Sequence, residues 1–351
     1  MTRIAIVLGS YNYGGVSRFV EELVTKLIKL GLETFIIARN IVKPPNPLIE
    51  PYMIELKASS IVDYWRKLRD VSKDFDVVNV QSVYEVGGVC NTHKLIFTYH
   101  GIVPLRCTKP TELSGFLIGY LSLLLGKRKI YASIGISDYI CNELLKWGFP
   151  NVLKIPVGIN LDVFRKGRIL KHLKEAAWPV LLDVGPVSRS QGTHLLLSSM
   201  PHVLKEFPEA KLVLVGHIAE VDLYYKAKQS KIRDRIIFTG FVPDTLLINL
   251  YHTADIVIEI PYWHGFGLPI LEGMACGKPI ITRNAYAMKE HIQHARCGAM
   301  IEKDDPREVV NAIHTIFQNY DEMRKNAFEY SRKFDINYIA QKYKRLFAEL
   351  I

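Results

Sequence analysis

Apolar positions recur along the chain in two alternating rhythms. Short β-branched runs, RIAIVLG (3–9), ETFIIAR (33–39), DVVNVQS (76–82), KLIFTYH (94–100) and YASIGIS (131–137), have the composition of buried strands. After the first of them, VSRFVEELVTKLIKLG (16–31) sets Val16, Phe19, Val20, Leu23, Val24, Leu27 and Ile28 at the spacing of one helical face. Gly31 is a natural stop for that helix. Strands alternating with amphipathic helices predict a parallel α/β sheet. The rhythm lapses over NLDVFRKGRILKHLK (160–174), where Arg165, Lys166, Arg168, Lys171 and Lys174 concentrate. This stretch reads either as a solvated linker or as a basic rim facing a phosphate-bearing ligand. The alternation then restarts with PVLLDVG (179–185), a helix over THLLLSSMPHVLKEF (193–207), AKLVLVG (210–216), RIIFTG (235–240), DIVIEI (255–260) and KPIIT (278–282). Two doubly wound sheets follow, one in residues 1–164 and one in 175–334, with ligands expected at the C-terminal ends of the strands. INYIAQKYKRLFAEL (336–350) closes the chain as an amphipathic helix with Ile339, Tyr343, Leu346 and Leu350 on one side.

The totals agree with two domains. The chain has 351 residues, of which 49% are hydrophobic and 23% charged, enough apolar material for two cores. Cys90, Cys107, Cys141, Cys276 and Cys297 are scattered without a CxxC pair, which argues for a reducing compartment and against disulfides or structural zinc. MTRIAIVLGS lacks the apolar core of a signal peptide and reads as a strand. The longest apolar stretch, Gly115–Gly126, is well short of the ~20 residues that span a bilayer, so a cytoplasmic location is expected. The formal charge of +10 invites a polyanionic partner. No aromatic-and-basic RNA signature or zinc-finger spacing accompanies it, and nucleic acid is set aside. LSGFLIGYLSLLLGKRK (113–129) allows two readings: a buried helix with a cationic end, or a surface that docks on anionic lipid through apolar area plus Lys127, Arg128 and Lys129.

Two Gly-rich turns carry the candidate chemistry. GSYNYGGVSRF, with Gly9, Gly14 and Gly15, departs from the dinucleotide GxGxxG spacing. A Gly-Gly turn into a helix start suits a phosphate, though glycines there also serve a tight turn alone. In YWHGFGLPILEGMACGKPI (262–280), Gly265 and Gly267 permit close backbone approach and LPILEGMACG forms a short helix ending at Gly277. Glu272 on that helix, flanked by Leu271 and Met274, is either a solvated glutamate or a carboxylate that accepts from both hydroxyls of a ribose. His100 at a strand end is either structural or a hydrogen-bonding group for a sugar hydroxyl or phosphate oxygen.

The order of motifs resembles the retaining glycosyltransferases of family 4. The resemblance runs nearly the whole chain: GGVSRFVEELVTKLIKLG (14–31), TYHG (98–101), IGISDYICNELLKWG (134–148), IPVGINLDVF (155–164), LVLVGH (212–217), TGFV (239–242), LYHTADIVIEIPYWHGFGLPILEGMACGKPII (250–281) and KEHI (289–292). The block Gly265–Pro279 is the most specific. The resemblance implies a GT-B fold, two Rossmann-like domains facing a cleft, with the final helix (335–351) crossing back to the N-terminal domain. It implies hexosyl transfer from a nucleotide-sugar, UDP- or GDP-linked, with retention, no cofactor and usually no metal. The acceptor, a glycan, a lipid-linked group or a protein, would lie on the N-terminal domain. Glu272 matches the donor-ribose glutamate, and Gly265, Phe266, Gly267 and Leu268 match the donor loop. Gly14 and Gly15 match the loop near the donor phosphates, His100 the histidine close to the reacting sugar, and Glu290 a further acidic position.

Departures from the family pattern fall in the donor site. His264 stands where the first of two acids eight apart is usual, and Val157 stands where an asparagine is common. Pro186 and Gln191 occupy the positions of an arginine and a lysine that bind the diphosphate. Charge-assisted hydrogen bonds contribute roughly 1.5–3 kcal/mol each, so two uncompensated losses weaken the donor by about 100- to 10⁴-fold. Arg189 in GPVSRSQG is the expected substitute cation, and His264 the expected substitute for the sugar-hydroxyl contact. The alternatives are a GT-B sugar-nucleotide epimerase and a donor-site-degenerate protein that binds without transfer. Docking of a lipid-linked acceptor would place the chain on the inner face of a membrane.

Overall fold

The computed structural model describes residues 2–89, 94–101 and 113–350. The chain divides into two compact units, Met1–Asn160 with Phe334–Ile351, and Leu161–Lys333. Cys90 and Cys107 lie outside the described residues; Cys141, Cys276 and Cys297 are free thiols.

In the first unit the strands are β1 (Arg3–Tyr11), β2 (Glu33–Ile41), β3 (Met53–Glu55), β4 (Val77–Val80), β5 (Leu95–Tyr99), β6 (Ile130–Gly135) and β7 (Val152–Lys154). They form one parallel sheet in the order β3-β2-β1-β4-β5-β6-β7. Ile4 pairs with Thr34 on one side and Val77 on the other, so the order reverses between β1 and β4. Ile4, Ile6, Val7, Val77, Val78 and Val80 have no exposed surface, as expected where helices cover both faces of a parallel sheet. The helix Gly15–Lys29 buries Phe19, Val20, Leu23, Val24 and Leu27, the face its periodicity predicts. The helix Ile336–Glu349 joins this unit from the far end of the chain. Its Tyr343 ring lies 6.4 Å from Phe19, and Lys344 Nζ donates to the Leu30 carbonyl at 3.0 Å.

The second unit holds β8 (Val180–Val184), β9 (Lys211–Val215), β10 (Ile236–Gly240), β11 (Ile256–Glu259), β12 (Ile280–Arg283) and β13 (Gly298–Ile301), in the parallel order β10-β9-β8-β11-β12-β13. Here the order reverses between β8 and β11. The division falls after Asn160 rather than at 164. Phe164 accounts for the difference, since its carbonyl accepts from His252 Nε2 at 2.7 Å and its ring lies 6.1 Å from Tyr251. The basic stretch that follows is partly internal. Lys174 pairs with the buried Asp255, whose other oxygen accepts the Val180 N–H at 2.8 Å, and the Arg165 guanidinium lies 4.7 Å over the Phe328 ring.

The helix Leu113–Gly126 is turned inside out. Gly119, Ser122 and Gly126 face inward, where Ser122 Oγ donates to the Tyr84 carbonyl at 3.0 Å and accepts from Gly87 N at 2.8 Å. A Cβ on Gly126 would lie 2.4 Å from the Val86 oxygen, so only glycine fits there. Leu117, Tyr120, Leu121, Leu124 and Leu125, spaced i, i+3, i+4, i+7, i+8, are all exposed. The buried-helix reading of this segment therefore fails, because its small residues take the inner face. Among the described residues no helix is long and apolar enough to cross a membrane. Lys127 and Lys129 donate to the carbonyls of Trp147 and Val89, which leaves Arg128 as the exposed member of the basic trio.

Candidate functional site

The second unit gathers its candidate groups at the C-terminal ends of β8 and β11, where the strand order reverses and open α/β sheets bind ligands. β11 ends at Glu259, and the turn that follows delivers His264, Gly265, Phe266 and Gly267 to the start of the helix Leu268–Ala275. Gly267 caps that helix at φ +87°, a conformation that favours glycine, and a Cβ there would press on Ile270 Cδ1 at 2.9 Å. No side chain caps the helix, and Pro269 removes one N–H of the first turn. Its N-terminus carries partial positive charge and suits an anion. The Phe266 side chain is buried, stacked edge-on to His291 at 4.9 Å, and its carbonyl accepts from His291 Nε2 at 2.9 Å. Phe266 thus braces the turn from the protein side, and Leu268 is half-buried beside it.

Glu272 lies on the same short helix and is 4% exposed. The Tyr251 hydroxyl donates to its Oε2 at 2.7 Å. Burial first, and Glu272 second, hold the Tyr251 hydroxyl well above its usual range, so it remains a donor at any working pH. A solvated surface glutamate does not describe this residue.

The loop after β8 carries Gly185, Pro186, Arg189, Gln191 and Gly192. It is tied to the turn after β11, since Tyr262 N donates to the Ser190 carbonyl at 3.0 Å. Gly192 has φ +80° and lies so close to Ile260 that a Cβ would come 2.5 Å from its carbonyl oxygen. The expectation that Arg189 replaces two missing cations meets a different geometry. Its guanidinium forks onto Glu220 and Asp222, Nη1 reaching Asp222 Oδ1 at 3.1 Å, and its side chain is half-exposed. Lys226 also pairs with Asp222 at 3.6 Å, so the cluster of two cations and two carboxylates is balanced and the Arg189 charge is already neutralised within it.

His264 has an acidic partner that the sequence does not advertise. Its Nδ1 lies 3.1 Å from Glu259 Oε1, a short but off-line contact, and that buried oxygen accepts no hydrogen bond. Glu259 is 2% exposed, and the nearby Asp183 of β8 is 3% exposed. Burial, then the charge of Glu259, hold the Asp183 carboxyl well above the usual carboxylate range.

The first unit has its own cluster where its strand order reverses. Gly14 caps the helix Gly15–Lys29 without a side-chain cap bond, and its N–H donates to Asn12 Oδ1 at 2.7 Å. At the end of β5, His100 Nε2 lies 2.8 Å from Gln81 Oε1, and Gln81 Nε2 donates in turn to Asn79 Oδ1. The Gln81 oxygen can only accept, so Nε2 carries the proton of the imidazole. Desolvation pushes His100 down to about 4, keeping it neutral. Glu85, fully buried, has no partner for Oε2, and burial pushes its carboxyl up to about 7. Its Oε1 lies 2.9 Å from where a Cβ on Gly9 would stand, so Gly9 is glycine to admit this carboxyl.

Two family models match the chain, "Glycosyltransferase Family 4" over residues 13–163 and "Glycosyl transferases group 1" over 169–334. The chain belongs to the family 4-type glycosyltransferases. Its fold is GT-B, in the form of two parallel-sheet Rossmann-like domains. Over its full length it superposes on sucrose-phosphate synthase from Thermosynechococcus elongatus with a TM-score of 0.81 at 19% identity, covering 100% of this chain and 99% of that one. Anabaena HepE in complex with UDP-glucose gives 0.80 at 17% identity, covering 99% and 100%. Curated relatives match over shorter stretches. YtcC of Bacillus subtilis is 32% identical over 155 residues, 42% of this chain and 38% of its own length. D-inositol 3-phosphate glycosyltransferase 2 of Catenulispora acidiphila is 25% identical over 194 residues, 50% of this chain and 45% of that protein. The matched stretches thus span less than half of these relatives.

Within this family 4-type frame, the structure places Arg189, His264, Gly265, Phe266, Gly267, Leu268 and Glu272 in the second unit, and Gly14, Gly15 and His100 in the first. Glu290 is half-buried in the first turn of the helix Met288–Ala295. Glu259, Asp183 and Glu85 were not anticipated. A lone acid inside an apolar strand (IVIE, VLLDV) is the available signal for the first two.

Proposed function

We propose that this chain transfers a hexosyl group from a nucleoside-diphosphate sugar to an acceptor hydroxyl with retention at the anomeric carbon. The observation that carries the reading is Glu272, a nearly buried acid on a short apolar helix that opens uncapped from the His264–Gly267 turn. A ribose diol supplies the donors such a carboxylate calls for, and the helix N-terminus suits the attached phosphates. The UDP-glucose complex of the structurally similar HepE supports a UDP-sugar, with a GDP-sugar as the alternative. In the transfer, the bond from the anomeric carbon to the diphosphate oxygen breaks and the acceptor oxygen bonds that carbon on the same face. The acceptor proton passes to the leaving phosphate oxygen. Helix N-termini take up the developing charge, and neutral His100 offers Nδ1 as an acceptor to a sugar or acceptor hydroxyl. No protein nucleophile, metal or cofactor is part of this scheme. A thermal-shift panel of UDP-, GDP- and ADP-sugars tests donor binding, since a ligand of the folded state raises its melting temperature. The anomeric proton coupling of the product then tests retention.

The exposed stripe of the helix Leu113–Gly126 supports a cytoplasmic enzyme that docks peripherally on the anionic inner face of a membrane, where lipid-linked acceptors reside. A second reading, a protein that binds donors without transfer, is favoured by Pro186, Gln191 and the twice-paired Arg189. Turnover of any nucleotide-sugar by the pure protein excludes it.

A further inference from the structure

Two buried acids and one histidine occupy the C-terminal ends of β8 and β11. Among the described residues, His264 is the one basic group that pairs with either acid. The two carboxyls sit on paired strands, and burial, then the charge of Glu259, hold Asp183 well above the usual carboxylate range. The Nδ1 of His264 faces Glu259 Oε1 at 3.1 Å, and that buried oxygen has no hydrogen-bond donor. A carboxylate oxygen only accepts, so the imidazole tautomer that serves this oxygen carries its proton on Nδ1 and presents Nε2 as an acceptor. The His264 side chain is 27% exposed, so the ring is reachable by ligand while its acidic partner is sealed off.

We propose that Glu259, together with its buried neighbour Asp183, is a positioning residue that holds His264 in the Nδ1–H form, so that Nε2 accepts a hydrogen bond from a hydroxyl of the transferred sugar. The inference rests on the donor-site reading of the second unit. It converts a histidine into an acceptor at a place where the unpaired imidazole would favour its other tautomer. It also accounts for a carboxyl buried in an apolar strand, which simple packing does not reward.

The test is the tautomer itself. Selective ¹⁵N-histidine labelling of the full chain, with Glu259→Leu, Glu259→Gln and Asp183→Asn variants and His264→Asn for assignment, reads which ring nitrogen bears the proton. Wild-type protein is expected to show Nδ1–H and an unprotonated Nε2. Glu259→Leu should shift His264 to Nε2–H, whereas Glu259→Gln, whose amide oxygen still accepts, and Asp183→Asn, which mimics the protonated acid, should keep Nδ1–H. Binding titrations with UDP-glucose and UDP, or the GDP or ADP pair if the thermal-shift panel selects it, supply the second readout. Glu259→Leu should raise the dissociation constant of the nucleotide-sugar about tenfold, the equivalent of about 1.4 kcal/mol, and leave that of the nucleoside diphosphate unmoved. Nε2–H in the wild type overturns the proposal, as does equal weakening of both ligands. Wild-type protein that binds no nucleotide-sugar overturns the donor reading instead, and the tautomer still decides the placement of the proton.

Discussion

Glu85 is a carboxyl that the first unit buries without a partner for one of its oxygens, and its consequence is a pH-dependent stability. Its folded-state pKa is raised from 4.5 to about 7, so folding favours the protonated acid. The associated stability is fully present below pH 4.5 and lost as pH rises through about 7. Two and a half units correspond to up to about 3 kcal/mol. Glu85→Gln mimics the protonated acid and removes this dependence, so urea unfolding of wild type and variant should converge toward pH 4.5 and diverge above pH 7 in the variant's favour. Parallel curves across that range would refute the assignment. At the same scale, Arg189→Ala should change nucleotide-sugar affinity by less than about threefold, because the guanidinium is already spent on Glu220 and Asp222. A drop of tenfold or more in a binding titration would return Arg189 to the diphosphate. Residues of this kind are only half legible in sequence. Gly267, Glu272 and His264 stand out by motif, whereas Glu85 in QSVYEVGG looks like an ordinary loop acid until the chain closes over it.

At the scale of elements, hydrophobic pattern locates a segment better than it orients one. GFLIGYLSLLLG is apolar all round, so its composition gives no face to the core. The orientation comes from Gly119, Ser122 and Gly126, whose small size lets the backbone lie against the 83–87 loop and pushes the leucines outward. Three short strands, β3, β7 and β13, escape the pattern for a different reason: three or four residues at a sheet edge carry too few positions to show a period. The inside-out helix makes a direct prediction. Leu121→Ser with Leu124→Ser should abolish sedimentation with vesicles containing phosphatidylglycerol, because two exposed leucines contribute about 3 kcal/mol or more to membrane partition, and should leave the melting temperature within a degree or two. Self-association that the same pair of changes abolishes, with no vesicle binding by the wild type, would assign the stripe to a second copy of the chain. Gly126→Ala should instead lower stability, since its Cβ collides with the Val86 carbonyl.

At the scale of the whole molecule, the two units differ in how the chain builds them. The second is continuous, Leu161–Lys333, whereas the first needs a helix made after the second unit is complete. The long parallel strands and the periodic first helix made both sheets legible in the sequence, because buried parallel strands must be apolar on both faces. The membership of the last helix came from family resemblance, since an amphipathic face states only that something covers it. That face now has named partners: Ile336, Ile339, Tyr343, Leu346 and Phe347 are buried, with Tyr343 against Phe19. Each such side chain contributes about 1.5–3 kcal/mol, so losing the helix removes more than about 5 kcal/mol, comparable to the whole stability of a domain. Truncation after Lys333 should therefore unfold the first unit selectively. Hydrogen exchange in the truncated protein should become fast in β1 and in the helix Gly15–Lys29, while β8 and β11 remain protected. Protection lost equally in β8 and β11 would mean that the second unit cannot stand without the first, and protection retained in β1 would mean that the returning helix is peripheral to its core.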